Sequence, residues 1–456
     1  MNLNPSPSTC DVAIVGGGIA GLAAAIEAAG AGRGVTLFDA RSTLGGRART
    51  HTRDGYLLNE GAHALYVDGA ANAFLRELGC EPAGVTPDAG RGIGVDGSLE
   101  GRFPTTPWAL LRTPLLRGDR LAMGKLFARL GKLDPADFAD RTVEQAVHDL
   151  LGTGRAARLG AALFRLSTYS NSPATTSADA GIRQLQMSVD GGVRYLHGGW
   201  QTIVNSLAHV ARTRGVDIRT GVKVTEVAPT DDGRHHLRTT TSTTTNESDD
   251  DDTNGNTTSI TADNVVVAGT PQLAATLLGD SAPVTRQWAA DATPAAVACL
   301  DVGVSDDWRG HVPFALGIDT PTYLSVHAPV ADLAPSGHSL IHVMHYLPAS
   351  DTPDADRSRA MCDALLDRVR PNWRQVADHV SFRPHLVAAS DQPRATSNGL
   401  AGRPPVTVPD AHGLFVAGDW VGPEGSLVDA PIASGRAAGR AAAQHARAPA
   451  AAGSRS

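Results

Sequence analysis

Apolar positions along this chain follow two different periods, and the changes between them mark out its elements. Asp11-Val-Ala-Ile-Val15 is a buried-strand run that stops at a cluster of glycines; the helix-forming stretch Leu22 to Ala29 and a second strand pattern, Val35 to Phe38, follow. This alternation of strand and helix continues to about residue 80. From 105 to 190 the period is helical, with apolar residues recurring on one face in Leu121 to Leu133 and Val143 to Leu151. The alternation then resumes. A helix over 201–214 leads through Gly215 into strands at Val216 to Thr220 and Val222 to Val227, and a further strand, Asn264 to Ala268, ends in Gly269-Thr270-Pro271. Gly413-Leu-Phe-Val-Ala-Gly418 reads as one more strand, and a helix rich in small residues begins at Ala430.

One interval has no period at all. Residues 239–259 combine a threonine run with Asp249 to Asp252 and hold too few apolar groups to offset the entropy of ordering them, so they are expected to be a disordered insertion at the tip of a hairpin. An acidic site for a cation or partner is the weaker alternative. The triplets at Asn246 and Asn256 resemble glycosylation acceptors but come without a secretory signal. The tail 447–456 is expected to be disordered as well.

Composition acts mainly by exclusion. A chain of 456 residues suits two domains, and 42% apolar with 19% charged residues is globular. No apolar run approaches the roughly twenty residues that a bilayer crossing needs. A net charge of -7 gives no footprint for nucleic acid. The polar start, Met1 to Thr9, lacks the features of a secretion signal, so a cytoplasmic location is expected. Cys10, Cys80, Cys299 and Cys362 are scattered, and neither a disulfide nor a metal site is expected.

The glycine cluster carries the first chemistry. Gly16-Gly17-Gly18-Ile19-Ala20-Gly21 sits between a strand and a helix, where Gly16 allows the tight turn, Gly18 lets a pyrophosphate approach the backbone, and Gly21 lets helix and strand pack closely. The helix start offers unpaired N–H groups and partial positive charge to the phosphates. Asp39, at the end of the second strand, is spaced to accept a hydrogen bond from ribose hydroxyls and would repel a 2′-phosphate. Taken alone, the module fits NAD or FAD equally.

The following residues, Ala40-Arg41-Ser42-Thr43-Leu44-Gly45-Gly46-Arg47, resemble the second signature of the flavin amine oxidase, phytoene desaturase and protoporphyrinogen oxidase superfamily. In that resemblance Gly45 and Gly46 pass close to the cofactor, and Arg47 offers a cationic fork to it; a surface salt bridge is the alternative for Arg47. Gly61-Ala62-His63-Ala64 continues the likeness as the strip beside the flavin ring, and Gly413 to Asp419 resembles the carboxyl-terminal flavin segment. The resemblance assigns Gly418 and Asp419 to the ribityl and phosphate region, and Leu427 and Val428 to the turn before a helix whose positive end faces the flavin. It assigns Val224 to the adenine. It implies FAD, bound non-covalently because neither Cys nor His occurs between Gly413 and Arg440.

Two departures bear on the reaction. The lysine typical of the amine oxidases is missing, since the three lysines are Lys125, Lys132 and Lys223, and the place of a cage tyrosine is taken by Leu427. Both favour dehydrogenation at carbon by hydride transfer to flavin N5. His63, Tyr195 and His197 are the candidates for the accompanying proton. The basic, leucine-rich stretch 108–134 reads as a lid over the cavity or as a face for peripheral membrane contact.

The expected fold is α/β: a discontinuous Rossmann-like FAD-binding domain from 8–80, 196–290 and 405–446, and an α+β substrate domain with a helical lobe from 81–195 and 291–404. The expected activity is a two-electron oxidation or desaturation of a small, largely apolar metabolite, with oxygen or a quinone as electron acceptor. Amine oxidase-like or protoporphyrinogen oxidase-like chemistry, a flavin-bound protein without turnover, and a flavin-free NAD-linked dehydrogenase are the rivals.

Overall fold

The computed structural model describes residues 8–241, 256–349 and 353–445. Along the chain, β1 (Ser8–Val15), α1 (Ile19–Gly30) and β2 (Val35–Asp39) precede a helical lobe that includes α2 (Arg155–Thr168); β3 (Asn256–Ala268), β4 (Ala295–Val304), β5 (Ser339–Leu347), β6 (Ala377–Ala389), β7 (Leu414–Ala417) and α3 (Asp429–Gln444) follow.

The architecture is mixed α/β around two seven-stranded sheets. In the first, β1 lies between β2 and β3, all parallel, and β7 adds a further parallel strand beside β3. The register aligns their carboxyl ends: Val15 pairs with Phe38 and Val267, and Ala268 pairs with Ala417. Gly16, Asp39, Gly269 and Gly418 therefore emerge along one edge, the place where an open parallel sheet binds its ligand. The second sheet is largely antiparallel, with β4 between β5 and β6. It is buried on both faces: every residue of β4 and β5 is buried.

The insertion differs from its expectation at both ends. Thr239, Thr240 and Thr241 pair with Thr258, Thr257 and Asn256 in regular antiparallel register, and the Thr239 and Thr258 hydroxyls lie 2.8 Å apart. Cross-strand threonine pairs and the alternating burial of the strand His235–Thr241 hold these residues in the sheet despite their low complexity. The rest of the insertion, 242–255, and the tail 447–456 lie outside the described residues. No helix among the described residues is long and apolar enough to cross a membrane.

The two ends of the chain meet through α1 and α3. Small residues let the backbones come unusually close: a Cβ on Gly435 would lie 2.3 Å from the Ala20 carbonyl oxygen, and one on Gly439 would lie 2.3 Å from that of Ala24. At the rim of the contact, Glu27 takes Arg436 at 2.6 Å and Arg440 at 2.9 Å. Partial burial works to raise the Glu27 pKa, but these two arginines hold it below the usual carboxylate value.

Gly439→Ala is expected to cost about 1–3 kcal/mol through overpacking. Arg440→Ala, at the half-exposed rim, is expected to cost no more than about 1 kcal/mol. Midpoints of thermal unfolding for the two variants check the order.

Candidate active site

A cavity of about 350 Å³ opens where the carboxyl edge of the first sheet meets the second sheet, and residues from both ends of the chain line it. On the amino-terminal side, Gly16 turns at φ +110, and a Cβ there would strike the Ala268 carbonyl oxygen at 2.1 Å. Gly21 is equally constrained but for a different reason: its Cβ would lie 1.8 Å from the Gly16 carbonyl oxygen, so it serves packing and does not line the cavity. Gly18 does line it, and an added Cβ would meet nothing closer than the Gly45 carbonyl oxygen at 3.9 Å. The backbone here is open to a ligand.

Asp39 organises this turn. Its carboxylate accepts the Gly17 N–H at 2.7 Å and the Arg41 N–H at 2.8 Å, while burial pushes its pKa up against the pull of the first of these bonds. The Gly45-Gly46 segment runs alongside, with the Gly45 N–H donating to the Gly17 carbonyl at 2.9 Å. Ile19, Ala20, Gly45 and Gly46 line the cavity; Ala40 and Arg41 are exposed and do not, and Val224 is buried in the core with Val15 and Phe38.

On the carboxyl-terminal side, Asp419 is 2% exposed and pairs with Arg47 at 2.9 Å. Its Oδ2 also accepts the Ser390 N–H at 2.8 Å. Desolvation opposes its charge, yet Arg47 holds the carboxyl below its ordinary pKa, so Asp419 is an anion. Its Oδ1 is buried and has no partner among the described residues. An unpaired carboxylate oxygen in such a place is costly unless a ligand donor satisfies it. Arg47 is thus neither an idle surface ion pair nor a free fork; it ties the second glycine signature to the last strand. Gly418, Leu427, Val428 and Pro431 complete this wall at the amino-terminal end of α3.

Between the two sides, Gly61, Ala62, His63 and Ala64 form a strip along the cavity. The His63 Nδ1–H donates to the Gly61 carbonyl at 3.0 Å, and its ring sits edge-on to Trp200 at 4.9 Å. Burial lowers its pKa against the pull of the Gly61 and Arg47 backbone, so the imidazole is neutral. The two other proton candidates lie elsewhere. Tyr195 is buried and stacks on His327 at 3.8 Å; His197 accepts the Asp332 N–H through Nδ1 at 3.1 Å; neither lines the cavity.

The far end of the cavity is apolar, built from Tyr169, Val297, Met344 and Leu386. None of these was singled out from the sequence, because they come from four separate elements and no local pattern joins them. Ala268, Gly269 and Thr270 were detectable, since a strand ending in Gly-Thr at the same edge repeats the arrangement of β1 and β7. No residue of 108–134 lines the cavity. Met123, Leu126 and Leu130 of that stretch pack into the helical lobe instead. Among the described residues Cys299, Asp301 and His342 stand close enough to surround an ion, but Asp301 already holds Arg383 and His342, each at 2.6 Å, and that guanidinium opposes a cation.

The glycine contacts separate two roles experimentally. Gly18→Ala is expected to leave the thermal midpoint of the cofactor-free protein unchanged while weakening dinucleotide retention by at least about tenfold, as one misplaced methyl in a tight site does. Gly21→Ala is expected to lower the midpoint itself. Cofactor content after gel filtration and thermal unfolding of both variants read the difference.

Comparison with known proteins agrees with this geometry. The profile of the family described as flavin containing amine oxidoreductase matches residues 19–443. A coproporphyrinogen III oxidase of Propionibacterium freudenreichii subsp. freudenreichii is 31% identical over 122 residues, a match spanning 25% of this chain and only 23% of that protein. Among solved structures, an oxidoreductase from Methanosarcina mazei superposes with a TM-score of 0.70 at 16% identity, covering 93% of this chain and 98% of that one. A putrescine oxidase variant gives 0.71 at 17% identity over 95% and 99%, and the cyclohexylamine oxidase of Brevibacterium oxydans gives 0.65 at 18% over 95% and 99%. At these identities the structures share the fold, and the family follows from the match over most of the chain: this protein belongs to the flavin-containing amine oxidoreductases and is a flavin-dependent oxidoreductase.

Proposed function

We propose that the cavity holds FAD without a covalent bond and that the protein oxidises or desaturates a small, largely apolar metabolite at carbon. The observation that carries this reading is the continuity of one cavity from Gly18 and Asp39, past Asp419, to an end lined by Tyr169, Val297, Met344 and Leu386. Gly18 and the turn after it suit the pyrophosphate, Asp39 the ribose, and the unpaired Oδ1 of Asp419 a ribityl hydroxyl. The flavin, when bound, supplies the acceptor for two electrons.

The protein's own groups do the rest. The start of α3, at Val428 and Pro431, places partial positive charge at the cavity wall, which favours negative charge there. His63 takes the substrate proton at Nε2, with Nδ1–H held by Gly61. The apolar end excludes water and orients the substrate. No lysine lines the cavity; of its three acids, Glu60 pairs with Arg49 at 3.0 Å, Asp419 with Arg47 at 2.9 Å, and Asp39 accepts the Gly17 and Arg41 N–H groups. A porphyrinogen oxidase-like reaction is the second reading, favoured by the partial match to coproporphyrinogen III oxidase.

The exposed Trp108, Leu111 and Leu121, at 63%, 57% and 72%, stand among the exposed cations Arg112, Arg117 and Lys125. This favours peripheral contact with an anionic membrane surface as the route by which an apolar metabolite arrives. Co-sedimentation with phosphatidylserine vesicles, lost in Trp108→Ala/Leu121→Ala, is the expected outcome; equal binding by the variant removes the idea.

Acid denaturation should release FAD from the polypeptide, and flavin remaining with the chain overturns non-covalent binding. Under anaerobic conditions coproporphyrinogen III is expected to bleach the flavin on the second reading, whereas cyclohexylamine and putrescine, both ammonium ions, are not; no bleaching by any ring compound favours a flavin-bound protein without turnover. Admitting air or a quinone afterwards identifies the electron acceptor.

His63→Gln is expected to slow flavin reduction by about 10²–10⁴-fold with flavin content unchanged. The wild-type rate should fall as pH drops through the pKa of His63, which burial places below the ordinary 6.5. That acidic limb should disappear in the variant, as rapid-mixing measurements across pH will read.

A further inference from the structure

A second pocket, of about 270 Å³, opens between the helix Val284–Asp291 and the segment 391–405, and it shares no lining residue with the flavin cavity. Its lining is of two kinds. Trp288, Trp420, Pro404 and Pro405 offer flat apolar faces, with the two indole rings 5.8 Å apart; Asp291, Asp391, Arg394 and Arg403 bring charge. Formally these charges cancel, so the partners of each group decide what the pocket can take.

Both acids are already engaged. Asp391 accepts the Thr293 N–H at 2.8 Å and pairs with Arg394 at 3.1 Å, and the exposed Asp291 takes the side-chain amide of Gln287 at 2.8 Å. Arg394 makes its bonds through Nη1 alone, so Nε and Nη2 have no partner among the described residues. Arg403 is the more demanding group. Its Nη1 donates to the Gly425 carbonyl at 2.9 Å, its Nε is buried without a hydrogen-bond partner among the described residues, and it forms no ion pair there. The carboxylates whose charge acts on it are Asp419, Asp391 and Asp179, but Asp419 is held by Arg47, Asp391 by Arg394, and Asp179 accepts the Ala180 and Leu400 N–H groups at 2.6 and 2.7 Å. Desolvation accordingly lowers the Arg403 pKa, although a guanidinium stays charged. A cation buried in this way is costly until an anion meets it. The small void of about 20 Å³ that Arg403 also borders, with Asp391, Asp419 and Leu427, has room for a water at most, and a water brings no charge. The anion has to come from the larger pocket.

We infer that this pocket is a binding site for a small planar carboxylate, its anionic end on the forks of Arg394 and Arg403 and its flat face against Trp288 and the prolines. A carboxylate matches a guanidinium edge with two parallel hydrogen bonds. A doubly charged phosphate fits less well, because Asp291 and Asp391 line the same space and repel the second charge. The volume, near the lower end of ligand pockets, suits a single ring. The site goes beyond the oxidation proposed above: it stands apart from the flavin cavity, and Arg403 joins it through Gly425 to the turn whose Leu427 and Val428 line that cavity.

The test is calorimetric titration of the purified holoprotein with benzoate, with benzyl alcohol as its neutral counterpart and inorganic phosphate as the dianion. Benzoate is expected to saturate, and the other two to bind at least about tenfold more weakly. Arg403→Gln is expected to weaken benzoate by at least about tenfold. Because loss of a buried guanidinium can unfold the chain, Ser397→Glu carries the same prediction: Ser397 is exposed at the pocket, so the variant should fold and retain its flavin, while the added carboxylate repels the ligand. Flavin absorption followed in the same titration separates the two cavities. A benzoate site weakened in Ser397→Glu belongs to this pocket, whereas benzoate that shifts the flavin bands and is indifferent to Ser397→Glu sits in the flavin cavity instead. Equal benzoate binding by wild type and Ser397→Glu overturns the inference, as does a wild type that fails to bind benzoate or that binds benzyl alcohol or phosphate as tightly.

Discussion

The close backbone approach of α1 to α3 is the constraint on which the rest depends. Gly435 and Gly439 leave no side chain between that helix and the carbonyls of Ala20 and Ala24, so the helix after the glycine turn and the helix after the last strand lie in direct contact. With β1, β3 and β7 in parallel register beneath them, the turn at Gly16 and the pair Gly418-Asp419 are held on one edge. The contact holds together parts of the site that come from opposite ends of the chain. Loop closure over such a separation must be compensated by large apolar burial, and the core that joins α1, α3 and Gln201–Thr213 supplies it.

On that frame, electrostatics fix the fine geometry. Asp419 would be a poor residue to bury alone, and Arg47 makes it tolerable by giving it a cation at 2.9 Å, while Ser390 supplies a backbone donor. One oxygen remains unpaired, and that incompleteness is the clearest sign that the protein is finished by a ligand. Asp39 works from the other side: its two backbone hydrogen bonds shape the turn at the cavity.

The second sheet contributes shape more than charge. Val297 and Met344 reach the cavity from β4 and β5, and the charge that those strands carry is paired within the sheet, Asp301 with Arg383 and His342. The helical lobe adds Tyr169 at the end of α2. A rigid glycine-lined binding edge and an apolar end assembled from several elements is the arrangement by which one fold carries many substrates, since the second part can vary while the first is kept.

The sequence by itself determined what depends on neighbours along the chain. The strand, glycine turn, helix and terminal acid of the first signature are a local unit: each glycine answers a steric demand set within a few residues, and period and spacing reveal it. The strand ending at Gly418 was legible in its apolar run, while the strip Gly61 to Ala64 and the place of Asp419 were legible through resemblance to the family. Tertiary structure decided the remainder. That Arg47 meets Asp419, that Tyr169 and Met344 share a wall, that Tyr195 and His197 turn away while His63 stays, and that Thr239 to Thr241 continue a strand instead of a disordered segment all depend on pairing between residues far apart in the chain. Such pairings leave no period in the sequence, because a side chain's surroundings in a packed interior are set by the elements laid against it and not by the residues beside it.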